Sequence, residues 1–87
     1  MFTRATQVLG ATVFGADEAA IGTVSDLLIN DRSGLVTAAV IEAGGFLGLG
    51  TEAHEVAWQR LVWDERLGGY LLPDLLPDGP AASLSPA

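Results

Sequence analysis

The chain has 87 residues and a mass of 9.0 kDa, room for one domain and one core. It is 49% hydrophobic but only 17% charged, where an ordinary soluble domain carries roughly 25% charged residues, and its mean hydropathy is +0.40. Four basic residues, all Arg, stand against eleven acidic ones for a net charge of -7, so there is no basic face for a nucleic acid backbone, and zero cysteine excludes disulfides, thiol catalysis and Cys-based zinc.

Cutting the chain after Ala43 leaves net charges of -3 and -4, so neither half is a charged tail. The start, Met1-Phe2-Thr3-Arg4-Ala5-Thr6-Gln7, has no apolar stretch of signal-peptide length behind its charge. No apolar run approaches the roughly 20 residues of a membrane helix, so the reading is a soluble, cytoplasmic chain without direct membrane insertion. A domain this small and this apolar cannot enclose all its hydrophobic surface, which points to self-association or a protein partner.

In chain order, Ala11-Thr12-Val13-Phe14 is a β-rich run that ends at Gly15-Ala16-Asp17. Ala20 to Ile29 admits two readings. Ile21, Val24 and Leu28 lie at helical spacing, with Asp17 placed to cap, whereas Gly22, Thr23 and Val24 are poor helix formers. As a strand the apolar phase slips between Ile21, Val24 and Leu27, which requires a bulge or bend near Gly22. Asn30-Asp31-Arg32-Ser33-Gly34 is a hairpin turn with Gly34 at the position suited to positive φ. Leu35-Val36-Thr37-Ala38-Ala39-Val40-Ile41 reads as a strand apolar on both faces, one lining an interior and the other needing cover.

Gly44-Gly45-Phe46-Leu47-Gly48-Leu49-Gly50 follows, four glycines framing three large apolar side chains. His54-Glu55-Val56-Ala57-Trp58 alternates, Leu61-Val62-Trp63-Asp64 is a short strand, and Glu65-Arg66-Leu67-Gly68-Gly69 turns into Tyr70-Leu71-Leu72. From Pro73 onward, prolines and small residues rule out long regular structure. The predicted division is one domain over residues 1–76 and a flexible tail over 77–87. About six short strands with turn chemistry between them predict an all-β fold, a small closed or half-closed barrel.

The series Ala20-Ile21-Gly22-Thr23-Val24-Ser25-Asp26-Leu27-Leu28-Ile29, the Ser33-Gly34 turn, Val36-Thr37-Ala38-Ala39-Val40 and the Gly44–Gly50 run resembles the PRC-barrel domain. That domain occurs in the H subunit of photosynthetic reaction centres, at the C-terminus of a ribosome maturation factor, and in stand-alone bacterial and archaeal proteins. The likeness runs from about Leu9 to Leu72 and fits the stand-alone, H-subunit-like branch best. It implies a strand over Ile21–Ile29, a barrel of short antiparallel strands with a glycine-rich loop, and work by docking to other proteins without catalysis. Val56-Ala57-Trp58 departs from the family's usual Val-Pro-aromatic.

The motifs with chemical overtones are weak. Gly48-x-Gly50-x-x-Ala53, with Asp74 beyond it, formally fits a relaxed dinucleotide pattern, but an alternating stretch follows where a helix must start. The plainer reading gives these glycines, with Gly22, Gly34, Gly44 and Gly45, to turns and unusual backbone angles. His54-Glu55 begins like a zinc-protease motif, but Trp58 stands where the second His belongs, and a single His with Glu52 and Glu55 makes an uncommon zinc set. Asp26, Asn30 and Asp31 lack calcium-loop spacing. Ser25, His54 and an Asp could make a hydrolase triad, yet Gly-x-Ser-x-Gly is absent and so small a barrel leaves little pocket.

No metal, no cofactor and no catalytic residue is expected. Phe46, Leu47 and Leu49 form either a lid over the barrel or an exposed knob for a partner. Of Trp58 and Trp63, one belongs to the core and the other, if exposed, is an interface anchor rimmed by Glu52, Glu55, Asp64 and Glu65. The expectation is a non-catalytic protein-interaction module, a homodimer with a protein partner the sequence does not name. The alternatives are a regulatory barrel holding a small apolar ligand, or an assembly factor for a ribosomal or photosynthetic complex.

Overall fold

Seven strands in one sheet, in the order β5-β6-β1-β2-β3-β4-β7, account for most of residues 2–44, 51–73 and 79–80, the part of the chain that the computed structural model describes. In chain order they are β1 (Thr12–Phe14), β2 (Ala20–Ile29), β3 (Val36–Gly44), β4 (Thr51–Ala57), β5 (Val62–Asp64), β6 (Gly69–Leu71) and β7 (Gly79–Pro80). One helical turn, α1 (Ala5–Val8), precedes them, and a 3-10 turn at Trp58–Arg60 links β4 to β5. Every strand the sequence predicts is present. The ambiguous Ala20–Ile29 segment is a strand, and α1 was not foreseen.

The phase slip in β2 is resolved by bulges. Against β1, Val13 faces Gly22 and Phe14 faces Ala20, leaving Ile21 as the extra residue beside Gly22. Against β3, Val24 faces Ile41 and Asp26 faces Val40, so Ser25 is extra. The second bulge shifts the inward phase, so that Gly22 and Val24 are buried before it and Leu27 packs on the core after it. The Ser25 hydroxyl donates to the Val40 carbonyl at 3.2 Å across the bulge. Thr37, the extra residue between the Leu28–Ala38 and Ile29–Val36 pairs, donates to the Leu28 carbonyl at 3.1 Å in the same way.

The hairpin turn is built as its residues dictate. The Asn30 side-chain oxygen accepts from the backbone N–H of Arg32 at 2.9 Å and of Ser33 at 3.1 Å, and Gly34 takes φ +78°. Gly22 lies inside β2, where an added Cβ would stand 2.4 Å from the Glu42 carbonyl oxygen; a bare Cα lets β2 and β3 approach at the bend.

The core joins Val8, Val13, Val24, Ala39, Ile41, Val56, Leu61, Tyr70 and Leu72, so α1 and strands β1 to β4 and β6 all contribute. Burial of each valine is worth about 1.5–3 kcal/mol. β3 is buried on both faces as its sequence requires, with Ala39 and Ile41 in this cluster and Ala38 and Val40 buried on the other side. Three strands separate β4 from β6 in the sheet order, a distance of about 19 Å if flat. Yet Trp58, at the end of β4, meets Tyr70 of β6 with ring centroids 5.7 Å apart. The sheet therefore curls until its two sides touch through side chains.

Two expectations are corrected. The strands are not all antiparallel, because β1 and β6 run parallel. The chain leaves β4 through the 3-10 turn, crosses the core at Leu61, and sets the β5–β6 hairpin on the free edge of β1 in that sense. The pairing is also that of an open sheet: among the described residues no hydrogen-bonded pair joins its ends, β5 and β7, so strand pairing does not close a barrel. In the segment expected to be tail, Gly79–Pro80 pairs with Glu55 and His54 of β4.

Candidate interaction surface

The N-terminal segment and the β5–β6 hairpin meet at the mouth of the curled sheet. Val8 of α1 is buried in the core, and the chain beyond it is fastened to β2, the Gly10 N–H donating to the Val24 carbonyl at 2.7 Å and the Val24 N–H to the Ala11 carbonyl at 2.9 Å. The Gln7 side-chain oxygen accepts from the Arg4 backbone N–H at 3.3 Å, which caps this single turn from within. Phe2 is left fully exposed beside the mouth.

The Glu65–Gly68 turn closes the β5–β6 hairpin. The Asp64 carboxylate accepts from the Leu67 N–H at 3.0 Å, and Gly68 takes φ +71°. The register sets Trp63 opposite Tyr70. Side chains directly across an antiparallel pair share a face, so Trp63 lies on the side of the sheet that Tyr70 uses to join the core. The rings meet edge to face, 5.2 Å apart at 73°. Trp58, Tyr70 and Trp63 thus form an aromatic chain from interior to surface: Trp58 packs on the core, Tyr70 is 5% exposed and Trp63 is 49% exposed. Burial raises the Tyr70 hydroxyl above its ordinary pKa.

Phe2, Thr3, Gln7, Trp63, Glu65 and Tyr70 line a depression of about 290 Å³ at this mouth. Beside it, Arg66 is engaged by an ion pair with Glu18, which leaves the Glu65 carboxylate at the rim without that neighbour's compensation. β5 is the terminal strand of the sheet, and its Val62 is 53% exposed. A second apolar group stands at the β2–β3 turn, where Ile29 is 58% and Leu35 is 67% exposed.

The structure distributes the sequence-predicted residues unevenly. Trp58 supplies core packing and Trp63 is the exposed one of the pair. Phe46, Leu47 and Leu49, with Gly45, Gly48 and Gly50, lie outside the described residues; Gly44 ends β3 opposite Thr51. The Ser25 hydroxyl serves the backbone bulge, and His54 sits on β4 opposite Ile41, its Nε2 3.5 Å from a carboxylate oxygen of the exposed Glu52. Among the described residues no three His, Asp or Glu gather to hold a metal, and no helix is long and apolar enough to cross a membrane.

Sequence reasoning placed Glu65 in the acidic rim around the tryptophans, but it missed Tyr70 and Phe2 as neighbours of Trp63. Tyr70 was recoverable: a hairpin centred on Glu65–Gly68 places it against Trp63 by counting alone. Phe2 carries no such signal, since its place depends on where α1 docks.

No curated protein matches the chain. The PRC-barrel domain model matches residues 2–68, which takes in α1, the bulged β2–β3 hairpin and the β5–β6 turn, and the chain belongs to the PRC-barrel domain family.

Proposed function

We propose that this chain is a non-catalytic protein-interaction module that associates with itself, using the edge of β5 and the aromatic mouth beside it. Family membership supports a small interaction or assembly module. The observation that carries the reading is Trp63, half exposed on the terminal strand of an open sheet, with Val62 exposed next to it and Phe2 across the depression. An apolar terminal strand, unpaired on its outer side among the described residues, invites pairing with another chain, and Trp is enriched among interface anchors. The curled sheet acts as a barrel-type scaffold that presents this edge.

Light scattering on the purified chain, with affinity capture from native extract, tests this. The expected result is a species of about 18 kDa, twice the 9.0 kDa chain, with any foreign protein held in fixed stoichiometry. Phe46→Asp and Leu49→Asp are expected to weaken assembly and leave the fold intact. A 9.0 kDa monomer that captures nothing overturns the reading.

A further inference from the structure

We infer that the depression at the mouth is a guanidinium-binding site, and that its occupant is Arg32 of a second copy of this chain. The inference rests on the self-association reading above and names the residues that meet. Three aromatic rings, Phe2, Trp63 and Tyr70, line the depression together with the Glu65 carboxylate. Ring faces and a carboxylate both attract an organic cation, and Arg in particular stacks on aromatic surfaces. Thr3 and Gln7 add the remaining polar lining. An anion is the wrong ligand, because the chain already carries a net charge of -7.

The chain holds four Arg, and three of them are unsuited to this role. Arg66 is paired with Glu18, Arg60 is half-buried and already engaged, and Arg4 is only one residue from Thr3 in the lining itself. Arg32 is exposed at the tip of the β2–β3 hairpin, on a turn whose backbone is held by Asn30. Ile29 and Leu35, the exposed apolar pair of that hairpin, flank it on the two arms of the turn. The tip thus offers two aliphatic side chains around a cation. The mouth offers the rings of Phe2 and Trp63 beside a carboxylate, so shape class and charge are complementary. Each copy carries both halves, so a closed pair is satisfied by two such contacts.

Charge exchange decides the point. In light scattering across a dilution series, Arg32→Glu and Glu65→Arg are each expected to weaken self-association about tenfold, and the double variant to recover most of it. Urea unfolding of the three variants verifies that the fold persists, since both positions are exposed turn residues. L-argininamide is expected to dissociate the wild-type pair and shift the Trp63 indole resonance, and citrullinamide, neutral and of similar shape, to do neither. A pair of unchanged mass in both single variants, or a double variant no better than either, overturns the assignment and leaves the self-association reading standing. Argininamide that binds at Trp63 while Arg32→Glu leaves the mass unchanged assigns the site to a foreign cation and overturns the second-copy occupant. A wild-type chain monomeric at all concentrations overturns this inference together with the self-association on which it rests.

Discussion

The two hairpins of this sheet are built on different principles. The β2–β3 hairpin is long, ten residues against nine, and is secured by its own ladder, two bulges whose hydroxyls bond across the strands, and a side-chain-braced turn. The β5–β6 hairpin has three residues in each strand, and it depends on what lies outside it: parallel pairing to β1, the Trp58–Tyr70–Trp63 rings, and the exposed Arg66–Glu18 ion pair. A three-residue hairpin is marginal in isolation. The first hairpin is therefore framework, and the second is a docked element whose outer strand has no further pairing partner among the described residues, which is where a partner can be met without dismantling the core.

The largest test of that contrast is Tyr70→Ala. It removes the ring that ties the short hairpin to both tryptophans and leaves a cavity, and a loss of about 3–4 kcal/mol in urea unfolding is expected. Gly22→Ala strikes the framework instead. Its Cβ would press on the Glu42 carbonyl at 2.4 Å, and a loss of about 2–3 kcal/mol is expected with every strand affected together. Hydrogen exchange separates the two regions directly: β5 and β6 amides are expected to exchange through local opening, while the β2–β3 ladder exchanges only on global unfolding. Uniform protection across both hairpins would break the comparison.

Smaller effects sharpen it. Ser25→Ala leaves the Val40 carbonyl without its hydroxyl partner at the bulge and is expected to cost about 1 kcal/mol. Glu18→Gln removes an ion pair exposed on both sides, and a change under about 0.5 kcal/mol, vanishing in high salt, is expected.

The pH dependence follows from Tyr70, the single tyrosine of the chain. Its pKa is raised by burial, so the folded state disfavours tyrosinate. Folded and unfolded chains hold the same proton below the ordinary value near 10, and no stability difference arises there. Above it the unfolded chain releases the proton first, and stability falls until the folded pKa is passed. Tyrosinate absorbance is expected to appear at higher pH in the native chain than in urea, and Tyr70→Phe to abolish the alkaline loss of stability.

Much of the framework was legible in the sequence because its causes are local. Asn30 to Gly34 specify their turn, and the slip from Ile21 through Val24 to Leu27 announces bulges that the strands then place at Ile21 and Ser25. The same residues carry the family likeness, and the family model matches them. The parallel seat of β6 on β1 was not legible, because nothing near Tyr70 or Val13 encodes which free edge a crossing chain will find. Curling has the same origin, since it appears only when Trp58 and Tyr70 meet across three intervening strands. At the candidate site, Trp63 was identified as one of two possible anchors. Its exposure depends on β5 being terminal, and the contribution of Phe2 depends on Val8 docking into the core.

The central claim is that the terminal strand at Trp63 carries association, and Trp63→Asp tests it most directly when light scattering is read beside urea unfolding. The ring lies at the surface, so a stability loss of only about 1 kcal/mol is expected from its contact with Tyr70. The account predicts a wild-type mass of about 18 kDa falling to the 9.0 kDa of a single chain in the variant, which remains cooperatively folded. A folded variant that keeps the wild-type mass and its captured partners would contradict it.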